Sequence, residues 1–221
     1  MTYIKCVIHF LEQQEPGMPI YSDRVAEVIA DEYGITKKKA SASAAVALKR
    51  IMDRREMSDL RCYQKGVYYR VVSTPFGETG IKKERLISDK YLRNDSGYET
   101  GTYLLYHLGL TTQIPTKQMI ATNAAGDCVR FDKKLEVLIC PPKMFINADN
   151  KAYLQLLDAL ELMDKAPVDI DQPYVILAEH IKKNNLKYET LLSIADRYYN
   201  QKTIIRLAHT ASVGWGEHET A

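Results

Sequence analysis

The sequence contains no apolar run approaching the ~18 residues of a membrane span, and no charged-then-apolar signal opens it. Its four cysteines, Cys6, Cys62, Cys128 and Cys140, form no CxxC pair and lack the close spacing of zinc ligands. Cys6, Cys128 and Cys140 stand among apolar neighbours, which predicts buried free thiols and a reducing, cytoplasmic setting. The histidines, His9, His107, His180, His209 and His218, lie far apart, and none belongs to an HxxxH or HExxH arrangement. GxGxxG, GxxxxGK[ST] and GxSxG are also missing. With nucleophile, metal and phosphate-loop signatures all lacking, the expectation is a protein that is not an enzyme, with no catalytic residue, metal ligand or cofactor. Asp169-Ile170-Asp171 has the D-x-D spacing that holds a metal in nucleotidyltransferases, but Pro167 and Pro173 flank it and favour a solvated turn.

Net charge is scarce too, at +2 over 221 residues, yet it is unevenly spread. Residues 1–35 hold two basic and six acidic side chains, whereas residues 36–74 hold ten basic and three acidic, net +7. A positive field confined to one segment suits attraction to phosphates. That segment also carries the most ordered pattern in the chain. Ser22 reads as an N-cap with a helix over Arg24–Tyr33 behind it, and Gly34 follows as the helix stop. Thr36 can cap a second helix, Lys37–Arg54. Ala40, Ala44, Ala47, Leu48 and Ile51 share one face of it, the spacing of a buried stripe. The opposite face carries Lys38, Lys39, Ala42, Val46, Lys49 and Arg50, so cations flank small residues on a surface that can approach a major groove closely.

Leu60–Tyr63 and Val67–Val72 then read as strands joined by Gln64-Lys65-Gly66, a hairpin in wing position. Helix, turn, basic helix and hairpin predict a winged helix-turn-helix that binds duplex DNA; a three-helix unit with a solvated basic face is the plainer alternative. Fifteen tyrosines against four phenylalanines is an unusual balance, and Tyr63, Tyr68 and Tyr69 crowd the hairpin. A tyrosine hydroxyl can bond phosphate. Tyr68 and Tyr69 must point to opposite faces of their strand, so at most one of them faces DNA. The candidate DNA-contacting set is Thr36, Lys37, Lys38, Lys39, Ala42, Ser43, Lys49, Arg50, Tyr63, Lys65 and Tyr68.

Elsewhere, Tyr3–Gln14 reads as a first helix and Ile20-Tyr21 as a short strand added to the hairpin sheet. Ser73-Thr74-Pro75-Phe76-Gly77 marks a boundary, giving a DNA-binding domain over 1–75 and a second domain over 76–221. The second opens with a short helix over Lys82–Tyr91 and another over Tyr103–Leu108. Strands are expected over Lys117–Thr122, Cys128–Phe131 and Leu135–Cys140. Helices follow over Lys151–Lys165, Tyr174–Asn184, Tyr188–Tyr199 and Gln201–Ala211, with a frayed tail from Gly214. The fold class is therefore α+β: a winged helix-turn-helix, then a mixed α/β domain ending in several helices.

Two segments carry a family resemblance. Ala47-Leu48-Lys49-Arg50-Ile51, followed by Tyr63-Gln64-Lys65-Gly66-Val67-Tyr68-Tyr69, resembles the end of the AbiEi-type winged helix. Gly97-Tyr98-Glu99-Thr100-Gly101-Thr102, then Leu108-Gly109-Leu110-Thr111-Thr112-Gln113-Ile114-Pro115, resembles the segment that follows it in those proteins. The resemblance spans roughly residues 20–145 and leaves the helices after Asp149 unmatched. It implies an antitoxin and transcriptional regulator of a bacterial type IV toxin–antitoxin, or abortive-infection, system involved in phage defence. In that family the N-terminal domain binds inverted repeats in its own promoter, and the C-terminal domain opposes an AbiEii-like nucleotidyltransferase toxin. Arg50, Lys65, Gly66, Val67 and Tyr68 map onto the first motif, with Gly66 and Val67 as architecture. In the second, Gly109 reads as a helix stop and Pro115 as the opening of a strand. The expected partners are duplex DNA and, functionally, such a toxin, with the protein a monomer or weak dimer and no membrane involved. The competing readings are a winged-helix module for protein contacts alone and a DNA-processing enzyme with an appended winged helix.

Overall fold

In the computed structural model, which describes residues 3–216, the chain is a mixed α+β protein dividing into two compact units, Met1–Leu86 and Ile87–Ala221. The first unit starts with α1 (Ile4–Glu12), which buries Ile4, Val7 and Leu11. β1 (Ile20–Tyr21), α2 (Ser22–Tyr33) and α3 (Lys37–Asp53) follow, and then the antiparallel strands β2 (Leu60–Gln64) and β3 (Val67–Arg70). The sheet order is β1-β3-β2, so Ile20-Tyr21 does join the hairpin. α3 buries Ala40, Ala44, Ala47, Leu48 and Ile51, the whole of the expected stripe, in a core shared with Val7, Leu11, Val25 and Ile29.

The expected caps are corrected. Ser22 is already the first residue of α2, behind Tyr21, and its amide donates to the Gly66 carbonyl at 2.9 Å. Thr36 does occupy the N-cap position of α3, but its side chain makes no capping hydrogen bond. Gly66 sits at φ +84, with its would-be Cβ only 3.2 Å from the Ser22 hydroxyl, so turn conformation and close packing both call for glycine there.

The first unit runs on past Ser73–Gly77. A small hairpin, β4 (Ser73–Thr74) with β5 (Gly77–Glu78), folds back so that Arg61 pairs with Glu78, and Lys82 donates its amide to the Gly17 carbonyl at 2.8 Å. The division falls only within α4 (Lys83–Ile87).

In the second unit α4 opens into a π-helical turn over Ser88–Leu92 and then a 3-10 turn over Arg93–Asp95. β6 (Gly97–Thr100), α5 (Gly101–His107), β7 (Gln118–Thr122), β8 (Arg130–Asp132) and β9 (Val137–Cys140) come next. The sheet order is β6-β7-β9-β8, with β7 and β9 parallel and the other two pairings antiparallel. Pro115 does not open a strand: β7 begins at Gln118. Helices α6 (Lys151–Leu162), α7 (Pro173–Lys183), α8 (Tyr188–Tyr198) and α9 (Gln201–Gly216) complete the unit. Leu154, Leu157 and Leu160 of α6 lie at the centre of its core, together with Leu105, Leu177, Leu191 and Leu207. The helix reaches Gly216, beyond the expected fraying at Gly214; His218 and the Trp215 side chain lie outside the described residues. Of the three thiols expected to be buried, Cys128 is exposed in the loop before β8, and Cys6 and Cys140 are half-buried.

Candidate nucleic-acid interface

α3 is backed by alanines, and this governs what its other face can present. Small buried residues let the helix sit close against α2 and α1, while Lys38, Lys39, Ser41, Ala42, Ala45, Val46, Lys49 and Arg50 remain exposed. Ser43 is half-buried at the margin of that face. Lys37 is exposed in the first turn, with its ammonium 3.9 Å from the Glu27 carboxylate. Glu27 in turn accepts from Arg24 at 2.9 Å, which holds its carboxyl below the usual range.

The basic segment separates into cations already engaged and cations left open. Arg70 donates to Asp59 at 2.7 Å and to the Glu12 and Gln14 carbonyls, tying β3 to the end of α1. Arg61 is engaged by Glu78 and Arg54 lies 3.7 Å from Glu56. Lys38, Lys39, Lys49, Arg50, Arg55 and Lys65 form no ion pair among the described residues. Four of these six stand on the outward face of α3, and Lys65 stands in the exposed β2–β3 turn.

The two adjacent tyrosines of β3 separate as strand geometry requires. Tyr68, in register with Ile20 and Cys62, packs against the helical core, and burial pushes its hydroxyl pKa up. Tyr68 is thus the half-buried, core-packed member of the pair. The tyrosine of β3 on the other face is Tyr69, which the sequence-based set omits. Tyr63 is half-buried on β2.

A cleft of about 310 Å³ runs beside the outward face of α3, lined by Tyr3, Ile4, Ala42, Ser43, Val46, Ala47 and Arg50. Tyr3 is fixed there by an edge-on contact with Tyr33, ring centroids 4.8 Å apart. Val46 is exposed on the face where helical spacing placed it, but the wall from α1 was not legible in the sequence, because periodicity identifies a face and not what stands next to it.

No protein-family model and no curated protein matches this chain.

In the second unit the Leu108–Pro115 segment is fastened from a distance. Leu110 and Thr111 are buried, and Asp169 accepts from the Thr112 amide at 2.8 Å and from its hydroxyl at 2.6 Å. Those bonds hold the Asp169 carboxyl below its ordinary range. Asp169 is thus spent on a loop tie, and no group of three or more potential metal ligands exists among the described residues. No helix among the described residues is long and apolar enough to cross a membrane.

A second polar cluster, not legible from residue spacing, surrounds Asp158 of α6. Its carboxylate accepts from the hydroxyls of Tyr199 at 2.7 Å, Thr100 at 2.9 Å and Tyr98 at 3.1 Å. Burial raises its pKa in spite of these donors, and burial beside Asp158 pushes the Cys140 thiol up to about 11. The cluster joins β6 and α6 to the residue that follows α8. Its hydrogen bonds link separate elements of one core and so order that core.

Proposed function

We propose that this chain is a DNA-binding transcriptional regulator whose first unit acts as a winged helix-turn-helix. In this reading α2 and α3 are the helix-turn-helix, α3 enters the major groove and the β2–β3 hairpin is the wing. One observation carries the reading: six cations, four on the outward face of α3, have no acidic partner among the described residues, while the remaining basic side chains of that segment do. Cations gathered on one face without acidic partners keep their charge available to phosphates.

The resemblance of residues 20–145 to AbiEi-like proteins extends the proposal. It supports an autoregulating antitoxin that binds inverted repeats in its own promoter, acts in the cytoplasm, and has a second unit opposing a nucleotidyltransferase-like toxin. The second unit then serves as a recognition surface rather than as an enzyme.

The deciding experiment for DNA binding is a salt titration of duplex affinity by fluorescence anisotropy. With six phosphates neutralised, log K falls with log salt at a slope of about −5. A flat response between low and physiological salt overturns the reading. For the antitoxin role, residues 87–221 are co-expressed with the product of the neighbouring reading frame. Restored growth supports a separable antitoxin; rescue by the full chain alone, lost when Lys38 and Lys39 are replaced by alanine, overturns it.

A further inference from the structure

We propose that Val46 reads the 5-methyl group of thymine in a duplex laid along α3, an inference that rests on the DNA-binding reading above. Val46 stands 50% exposed in the middle of α3, with Ala42 and half-buried Ser43 one turn before it and exposed Lys49 and Arg50 one turn after. Among the exposed apolar residues of that face, Ala42, Ala45 and Val46, it is the largest. A β-branched residue lowers helix propensity relative to alanine, and at this exposure it recovers little of that cost through burial. The rigidity that makes it a poor helix former makes it a good probe, since it has one dominant rotamer to present.

The placement of Val46 supplies the rest. Lys38, Ala42, Val46 and Arg50 follow one another at four-residue intervals, which puts them in one row along the helix with cations at both ends. Phosphates held at the ends of such a row bring a base edge over its centre. Val46 also borders the cleft walled by Tyr3 and Ile4, in which Arg50 is the one charged lining side chain. Water in so apolar a recess has few partners to bond, so an apolar group displaces it readily. Among the groups displayed in the major groove, only the thymine methyl is apolar. The charge around the cleft favours this occupant over a second copy of the chain, which would bring the same unpaired lysines to the contact.

The test uses the full chain and a duplex it enriches from a random-sequence pool, compared with the same duplex carrying deoxyuridine at every thymidine. That exchange removes methyl groups and leaves pairing and charge unchanged. The wild-type chain is expected to bind the uracil duplex about three- to tenfold more weakly at fixed salt, the effect of one or two methyl contacts. Val46→Ala, which improves helix propensity and so keeps the fold, is expected to bind both duplexes alike with an unchanged salt slope. Equal wild-type affinities overturn the proposal. So does a ratio that persists in Val46→Ala, since the discrimination would then come from duplex deformability. Failure to enrich any duplex overturns the DNA-binding reading itself, and this inference with it.

Discussion

Asp158 bears the most consequential single side chain of the second unit. Burial favours its neutral form, so its folded pKa lies above the ordinary value of 3.8. A carboxyl raised in this way adds stability that is fully present below the unfolded pKa and is lost as pH rises through the folded one. Asp158→Asn removes the titration and keeps the polar shape, so the gap in unfolding free energy between wild type and variant should change across that window and stay flat above it. Denaturant melts at a series of pH values measure the gap, and a pH-independent difference would contradict the assignment. Asp158→Ala strands three hydroxyls and should cost about 3 kcal/mol or more at any pH. Gly97 is a second point of rigidity. A Cβ there would lie 2.2 Å from the Tyr91 carbonyl oxygen and 3.0 Å from that of Ala121, both backbone atoms. Gly97→Ala should therefore lower the melting temperature more than Gly126→Ala, whose Cβ would meet nothing within 4 Å. Equal melting temperatures would show that β6 can shift to make room.

Elements were legible where one face alternates clearly with the other. The alanine stripe of α3 and the leucines of α6 repeat at helical spacing, and the structure buries those residues. β6 escaped notice because its four residues, Gly-Tyr-Glu-Thr, show no regular apolar alternation; pairing with β7 and the room left by Gly97 hold it in place. The choice between Tyr68 and Tyr69 was open for a similar reason, since alternation says that two neighbours differ but not which one faces inward. Apolar neighbours misplaced Cys128, because Val129 and Phe131 are themselves 57% and 42% exposed near the sheet edge. The candidate site was half readable: its cations could be counted, but which of them Asp59, Glu56 and Glu78 had already engaged could not. The same limit hid the tie between Asp169 and Thr112, which are 57 residues apart. Asp169→Ala should speed amide exchange at Thr112 and leave the global melting temperature almost unchanged, because the tie is exposed and local. Unchanged exchange at Thr112 would mean that buried Leu110 and Thr111 hold the segment without it.

At the scale of the molecule, the chain builds two cores with no residue in common. One gathers Val7, Leu11, Ile29, Leu48 and Ile51, and the other Leu105, Leu157, Leu177 and Leu207. A unit with its own core and its own backbone pairing can fold alone. The division after Leu86 matters here, since a fragment cut at residue 75 would lose both Glu78, the partner of Arg61, and Lys82, the partner of Gly17. Residues 1–86 should thus give one cooperative thermal transition, and residues 1–75 a broader one at lower temperature. Circular dichroism melts compare them directly. The six cations of the basic segment that form no ion pair among the described residues all lie within the longer fragment, so the proposed phosphate contacts travel with it. Its DNA affinity should fall with salt at the slope of the full chain, near −5, because that slope counts phosphates neutralised and not the size of the protein. A clearly shallower slope for a folded 1–86 fragment would assign part of the phosphate contact to the second unit, and the single-unit account of DNA binding would fail.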